Sequence, residues 1–124
     1  MMALNASCAD AWWYAFDVGL VSVAVHQHGY PHAGLEAYLA DVQQCYPIDG
    51  LRLHYWPEYF APVGQANACA FSAYDIDMRS TKEDAWSSCL PHELAHAIGY
   101  RAHDDAHARA TLDLSQQTPC HKSH

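Results

Sequence analysis

Leu90-Pro91-His92-Glu93-Leu94-Ala95-His96-Ala97-Ile98-Gly99-Tyr100 carries its own start, face and stop. Ser87 or Ser88 just before it can accept a hydrogen bond from a first-turn amide, and Pro91 falls where an amide has no partner to lose, so a helix can begin here. Leu94, Ala95 and Ile98 continue it. Gly99 ends it, because glycine takes the left-handed conformation without a side-chain penalty. Helical residues four apart share a face, so His92 and His96 can address one ion with Glu93 beside it.

Two imidazoles at about 2.0–2.1 Å from Zn²⁺ leave a tetrahedral site that needs a third protein ligand and an open position for water. Zinc lowers the pKa of such a water from about 15.7 toward about 7, and Glu93 is placed to take its proton as it attacks a polarised carbonyl. With 10 His and 4 Glu in 124 residues, chance order would produce H-E-x-x-H about 0.03 times, so the helical context has to carry part of the argument. An unbroken helix would hold His96 and His103 about 10 Å apart at roughly 1.5 Å per residue, so the metal hypothesis requires a break near Gly99. His103 is the first choice for third ligand and His107 the alternative, with Asp104 or Asp105 behind them. The two aspartates also suit the start of a final helix from about Asp104 to Leu114, or hydrogen bonding to a ligand imidazole. Tyr100 is either packing or a donor to a developing oxyanion.

Elsewhere the patterns are less sharp. Ala9 to His26 is apolar nearly all round and suits a helix buried on most sides, although its Val-rich end has the composition of a strand. Leu35, Tyr38, Leu39 and Val42 follow the spacing of an amphipathic helix that ends before Pro47. Leu51 to Trp56 alternates as a half-buried strand, and Pro57 and Pro62 bracket a loop. Ala68 to Met78 reads as a second strand, polar enough for a sheet edge, with Asp75 and Asp77 protecting that edge from aggregation. The sum is an α+β single domain over residues 1–124 with a polar tail from about Gln116.

Composition narrows the function. Six Lys and Arg against 14 Asp and Glu give a formal charge of −8, which lacks the basic surface that nucleic acids and anionic membranes require. No run of about 18 apolar residues is present, so no bilayer-spanning segment is expected. Five cysteines in a chain this small favour an oxidising, extracytoplasmic setting, secreted or periplasmic, although no signal peptide is visible. Cys69–Cys89 and Cys8–Cys45 are the expected disulfides, with Cys120 in the tail left over. His26, His28, His32 and His54 are scattered and take packing or surface roles, and Cys120, His121 and His124 offer at most a weak tail site for metal.

His92, Glu93, His96 and Gly99 resemble the active-site helix of zincin metallopeptidases, closest to the metzincin-like pattern H-E-x-x-H-x-x-G-x-x-H. The third histidine departs from it: the pattern places it at Ala102, whereas this chain has His103 one residue later. The resemblance implies a minimal zincin-like fold, a small sheet packed against helices that include the H-E-x-x-H helix. It also implies a Zn²⁺-dependent, monomeric hydrolase of peptide or protein substrates, with Glu93 as general base and a substrate strand paired to the edge at Ala68 to Met78. The competing reading is a non-catalytic zinc-binding module with a closed or degenerate site. A third is a disulfide-stapled binding domain without metal. A fourth protein ligand such as His107 would favour the closed site, and an open position the hydrolase.

Overall fold

Val21, Val23 and Val25, then Leu53 and Tyr55, then Ile76 and Met78 are each buried at every second residue, and these three period-two segments lie side by side at the centre of the fold. The computed structural model describes residues 12–26, 34–56, 67–80 and 84–121. Among these residues are five strands, β1 (Trp12–Val18), β2 (Val21–His26), β3 (Arg52–Trp56), β4 (Asn67–Ser72) and β5 (Asp75–Ser80), and three α-helices, α1 (Leu35–Val42), α2 (Leu90–Ala97) and α3 (Asp105–Leu114). The strands form one mixed sheet in the order β1-β2-β3-β5-β4. The outer pairs β1–β2 and β4–β5 are antiparallel hairpins, and β2–β3 and β3–β5 are parallel. The result is a small α+β domain.

The buried strand residues join Leu35, Tyr38, Leu39 and Val42 of α1, Leu90 and Leu94 of α2, and Leu114 of α3 in one hydrophobic cluster. Burial of each such side chain contributes about 1.5–3 kcal/mol. The Tyr38 hydroxyl donates to the Leu114 carbonyl at 2.6 Å, and burial raises its pKa, so it stays a neutral donor inside the core. The opposite sheet face carries the alternate residues Ser22, Arg52, His54, Asp75, Asp77 and Arg79.

Four expectations change. The segment read as a helix from Ala9 to His26 is, within the described residues, the hairpin β1–β2, because Gly19 at φ 60° turns the chain and the Gln43 side chain bonds both sides of that turn. The strand read as continuous from Ala68 to Met78 is two strands, broken at Ala73 and Tyr74, which both adopt positive φ (52° and 62°) as a two-residue hairpin turn of left-handed residues requires. Asp75 and Asp77 therefore lie on the internal strand β5, and β4 is the edge. The disulfides are Cys69–Cys89 and Cys45–Cys120, so Cys45 is not paired with Cys8, and Cys120 is not left over. Cys8, His28, His32, His124 and the segment between Pro57 and Pro62 lie outside the described residues.

The tail to His121 is fastened to α1. The Cys120 amide donates to the buried Asp41 carboxylate at 2.8 Å, and the His121 ring bonds the other oxygen of that carboxylate. Closing loops of 75 and 20 residues of separation, the two disulfides restrict the unfolded chain by about 4 and about 3 kcal/mol in the loop-entropy view.

Candidate metal centre

The helix that bears the motif is built as the local chemistry requires. Ser88 accepts from the Leu90 amide at 3.2 Å, and Pro91 occupies the first turn. At the other end Gly99, at φ 124°, donates to the His96 carbonyl, while the Tyr100 amide reaches back to the Ala95 carbonyl. That pair of bonds is the Schellman arrangement, and it reverses the chain. The Cys69–Cys89 disulfide fixes the start of α2 to the edge strand β4.

The reversal brings His103 back over α2. His103 Nε2 lies 3.1 Å from His96 Nε2 and 3.2 Å from His92 Nε2, and the ligand atoms of the three residues all fall within 4.8 Å of one another. Two nitrogens bound to one tetrahedral Zn²⁺ stand about 3.3 Å apart, so the contacts of His103 have the spacing of a shared ion. The tautomer of His96 is set by the backbone: its Nδ1–H donates to the Tyr100 carbonyl at 2.7 Å, leaving Nε2 as a lone pair aimed at the other two rings. Three ring nitrogens converging without a carboxylate between them fit a cation. His92, His96 and His103 can hold a metal ion.

His107 is beside this group with its outer nitrogen engaged elsewhere. Its ring, 4% exposed, stacks on that of His96 at 4.2 Å between centroids, and its Nε2–H donates to the His92 main-chain carbonyl at 3.1 Å. Asp104 caps α3 by accepting from the His107 amide at 3.0 Å, and Asp105 opens the helix. Neither joins the metal group among the described residues.

Glu93 points into the site from a buried position, its carboxylate 3.9 Å from His92 Nε2. Burial raises its pKa from the ordinary carboxylate value against the opposing pull of His96, His107 and His103. Desolvation, and then the neighbouring rings of His107, His96 and His103, lower that of His92, in the direction that favours the neutral imidazole.

Two shallow clefts flank the three histidines. One, of about 380 Å³, is lined by Phe71, Ser72, Ala73, His96, Arg101 and His103 at the β4–β5 turn. The other, about 360 Å³, is lined by His92, His103, Asp104, His107, Ala108 and Thr111 along α3. Sequence reading missed the Tyr100 carbonyl, the packing role of His107 and Arg101, since a backbone acceptor and a cleft wall leave no mark in spacing. No protein-family model, curated protein or solved structure matches the chain at a significant level.

Proposed function

We propose that this chain is a zinc-dependent metallopeptidase of the zincin type, acting as a monomer on peptide or protein substrates in an extracytoplasmic setting. The observation that carries the reading is the approach of His103 to both His92 and His96 beside a buried carboxylate, Glu93, with no other partner among the described residues. When bound, Zn²⁺ supplies a Lewis acid and acidifies water. Glu93, its affinity for protons raised by burial, accepts a proton from the attacking water and returns it to the leaving amine. Tyr100 fixes His96 through its main-chain carbonyl.

The edge strand β4 ends beside the first cleft, and an edge offers backbone amides and carbonyls to an extended peptide. The two disulfides are consistent with an oxidising compartment, and no described helix is long and apolar enough to cross a membrane.

The zinc module without catalysis is disfavoured by one observation: His107, the nearest fourth ligand, directs Nε2 to a carbonyl. The test is Glu93→Gln. That variant should retain about one equivalent of zinc while hydrolysis of a mixed peptide pool falls by at least about a hundredfold, the scale of general-base catalysis. Undiminished turnover in the variant would remove Glu93 from the mechanism.

A further inference from the structure

The two clefts beside the histidines differ in charge, and the difference bears on what can occupy them. Among the described residues, Arg52 is paired with Asp75 at 2.7 Å and Arg79 with Asp77 at 3.2 Å, whereas Arg101 has no carboxylate partner. Arg109 belongs to a separate hollow with Tyr46, Tyr100 and Asp113. Arg101, exposed and without a carboxylate partner among the described residues, thus lines the cleft that also contains His96 and His103. The cleft on the other side carries Asp104, whose carboxylate is already spent on the first turn of α3.

Arg101 is placed by the same reversal that places His103. The Schellman bonds fix Gly99 and Tyr100, and Arg101 follows directly. A guanidinium presents a planar fork of donors that suits a carboxylate, and the chain's net charge of −8 does not oppose this at short range, since charges beyond about 10 Å are screened in salt. The rest of the lining includes Phe71 with the small residues Ser72 and Ala73, and the cleft, about 380 Å³, has room for a side chain or chain terminus.

From this geometry we infer that the cleft between Arg101 and the β4–β5 turn is a carboxylate subsite, which selects substrates presenting an acidic side chain or a C-terminal carboxylate next to the metal-facing histidines. The inference deepens the zinc-peptidase reading and rests on it. Arg101 is a specificity residue here, with no role in the proton transfers of Glu93.

The test uses zinc-loaded protein whose metal content is measured first. The monohydroxamate of succinic acid, which joins a zinc-binding group to a carboxylate, is compared by calorimetry with the same molecule bearing an amide in place of the acid. The acid should bind about tenfold more tightly, the scale of a charge-assisted hydrogen bond. The margin should persist in Arg101→Lys, vanish in Arg101→Ala and turn against the acid in Arg101→Glu. Peptides with Asp or Glu in place of Asn or Gln, each with a free or amidated C-terminus, then distinguish the two sources of carboxylate by kcat/KM. Equal binding of the two probes to the wild type, or a margin that survives Arg101→Ala, overturns the subsite. A probe margin without cleavage of any peptide supports the subsite and overturns the peptidase reading, and cleavage indifferent to charge does the reverse.

Discussion

Among the described residues imidazoles come together in two clusters, and the two have the same spacing with opposite chemistry. His92 and His103 are 3.2 Å apart between Nε2 atoms, and His26 and His54 are 3.2 Å apart on the open face of the sheet. In the sheet cluster the bonds run in a line: His54 donates through Nε2 to Asp75, which leaves its Nδ1 to accept from His26 Nε2. Asp75 in turn takes two bonds from Arg52, each 2.7 Å, and the His26 ring stacks on Trp56 at 4.4 Å. Donors and acceptors alternate between His26, His54 and Asp75. In the helix cluster the Tyr100 carbonyl turns a lone pair of His96 toward two other imidazoles, and their Nε2 atoms converge on one point instead of running in a line to a carboxylate. Closeness of histidines is therefore poor evidence for a metal; the direction of their lone pairs is the better guide.

The largest effect should come from the metal. His96→Ala should lose its equivalent of zinc, and a chelator should destabilise the wild type but not this variant, by about 4 kcal/mol relative to protein held at a thousandfold excess of zinc over Kd. His54→Ala should keep both the zinc and the chelator response. Metal analysis and thermal melts with and without chelator measure this, and equal zinc loss in the two variants would erase the distinction between the clusters.

How each cluster could be read from sequence follows from how its residues are joined. His92 and His96 sit one helical turn apart, and Gly99 marks where the chain turns back, so the metal cluster was legible from local spacing except for the choice between His103 and His107. The pairing of His54 with Asp75 arises because β3 lies parallel to β5, and no local pattern encodes which strands become neighbours. The hairpin β1–β2 was hidden for another reason. Its aromatic and apolar residues mimic a helix buried all round, and only the alternation Val21, Val23, Val25 with Ser22 between them betrays period two. Ala73 and Tyr74 lack the Asn-Gly chemistry that announces a hairpin, so the break between β4 and β5 was silent. Disulfide connectivity depends on tertiary placement: Cys69–Cys89 joins elements near in sequence, whereas Cys45–Cys120 needed the tail to fold back onto α1.

An intermediate effect should come from His107, which touches the metal cluster without joining it. His107→Ala removes the ring stacked on His96 and the bond to the His92 carbonyl. Zinc affinity should fall by about 10–100-fold, the usual scale for a residue that positions ligands. Competition against a chromogenic chelator measures it. A loss as complete as that of His96→Ala would instead make His107 a ligand and revive the closed, structural site.

The smallest effect should lie in the sheet cluster, and it should appear in acid. The Arg52 guanidinium, and after it His54, hold the Asp75 carboxyl at about 2, against 3.8 for an unperturbed group, despite the opposing effect of desolvation. A carboxyl depressed in the folded state is stabilising above its unfolded pKa, and that contribution disappears as pH falls through the folded value. Asp75→Asn should therefore flatten the stability profile between about pH 4 and 2, an effect kept small by the exposure of the pair to solvent. Urea melts across that window measure the slope. Zinc content at neutral pH should be unchanged, because Asp75 bonds Arg52 and His54 on the open face of the sheet and contributes no atom to the three-histidine group. A fall in zinc content in Asp75→Asn would mean that the two clusters are coupled, and the contrast between a closed relay and an open metal site would have to be abandoned.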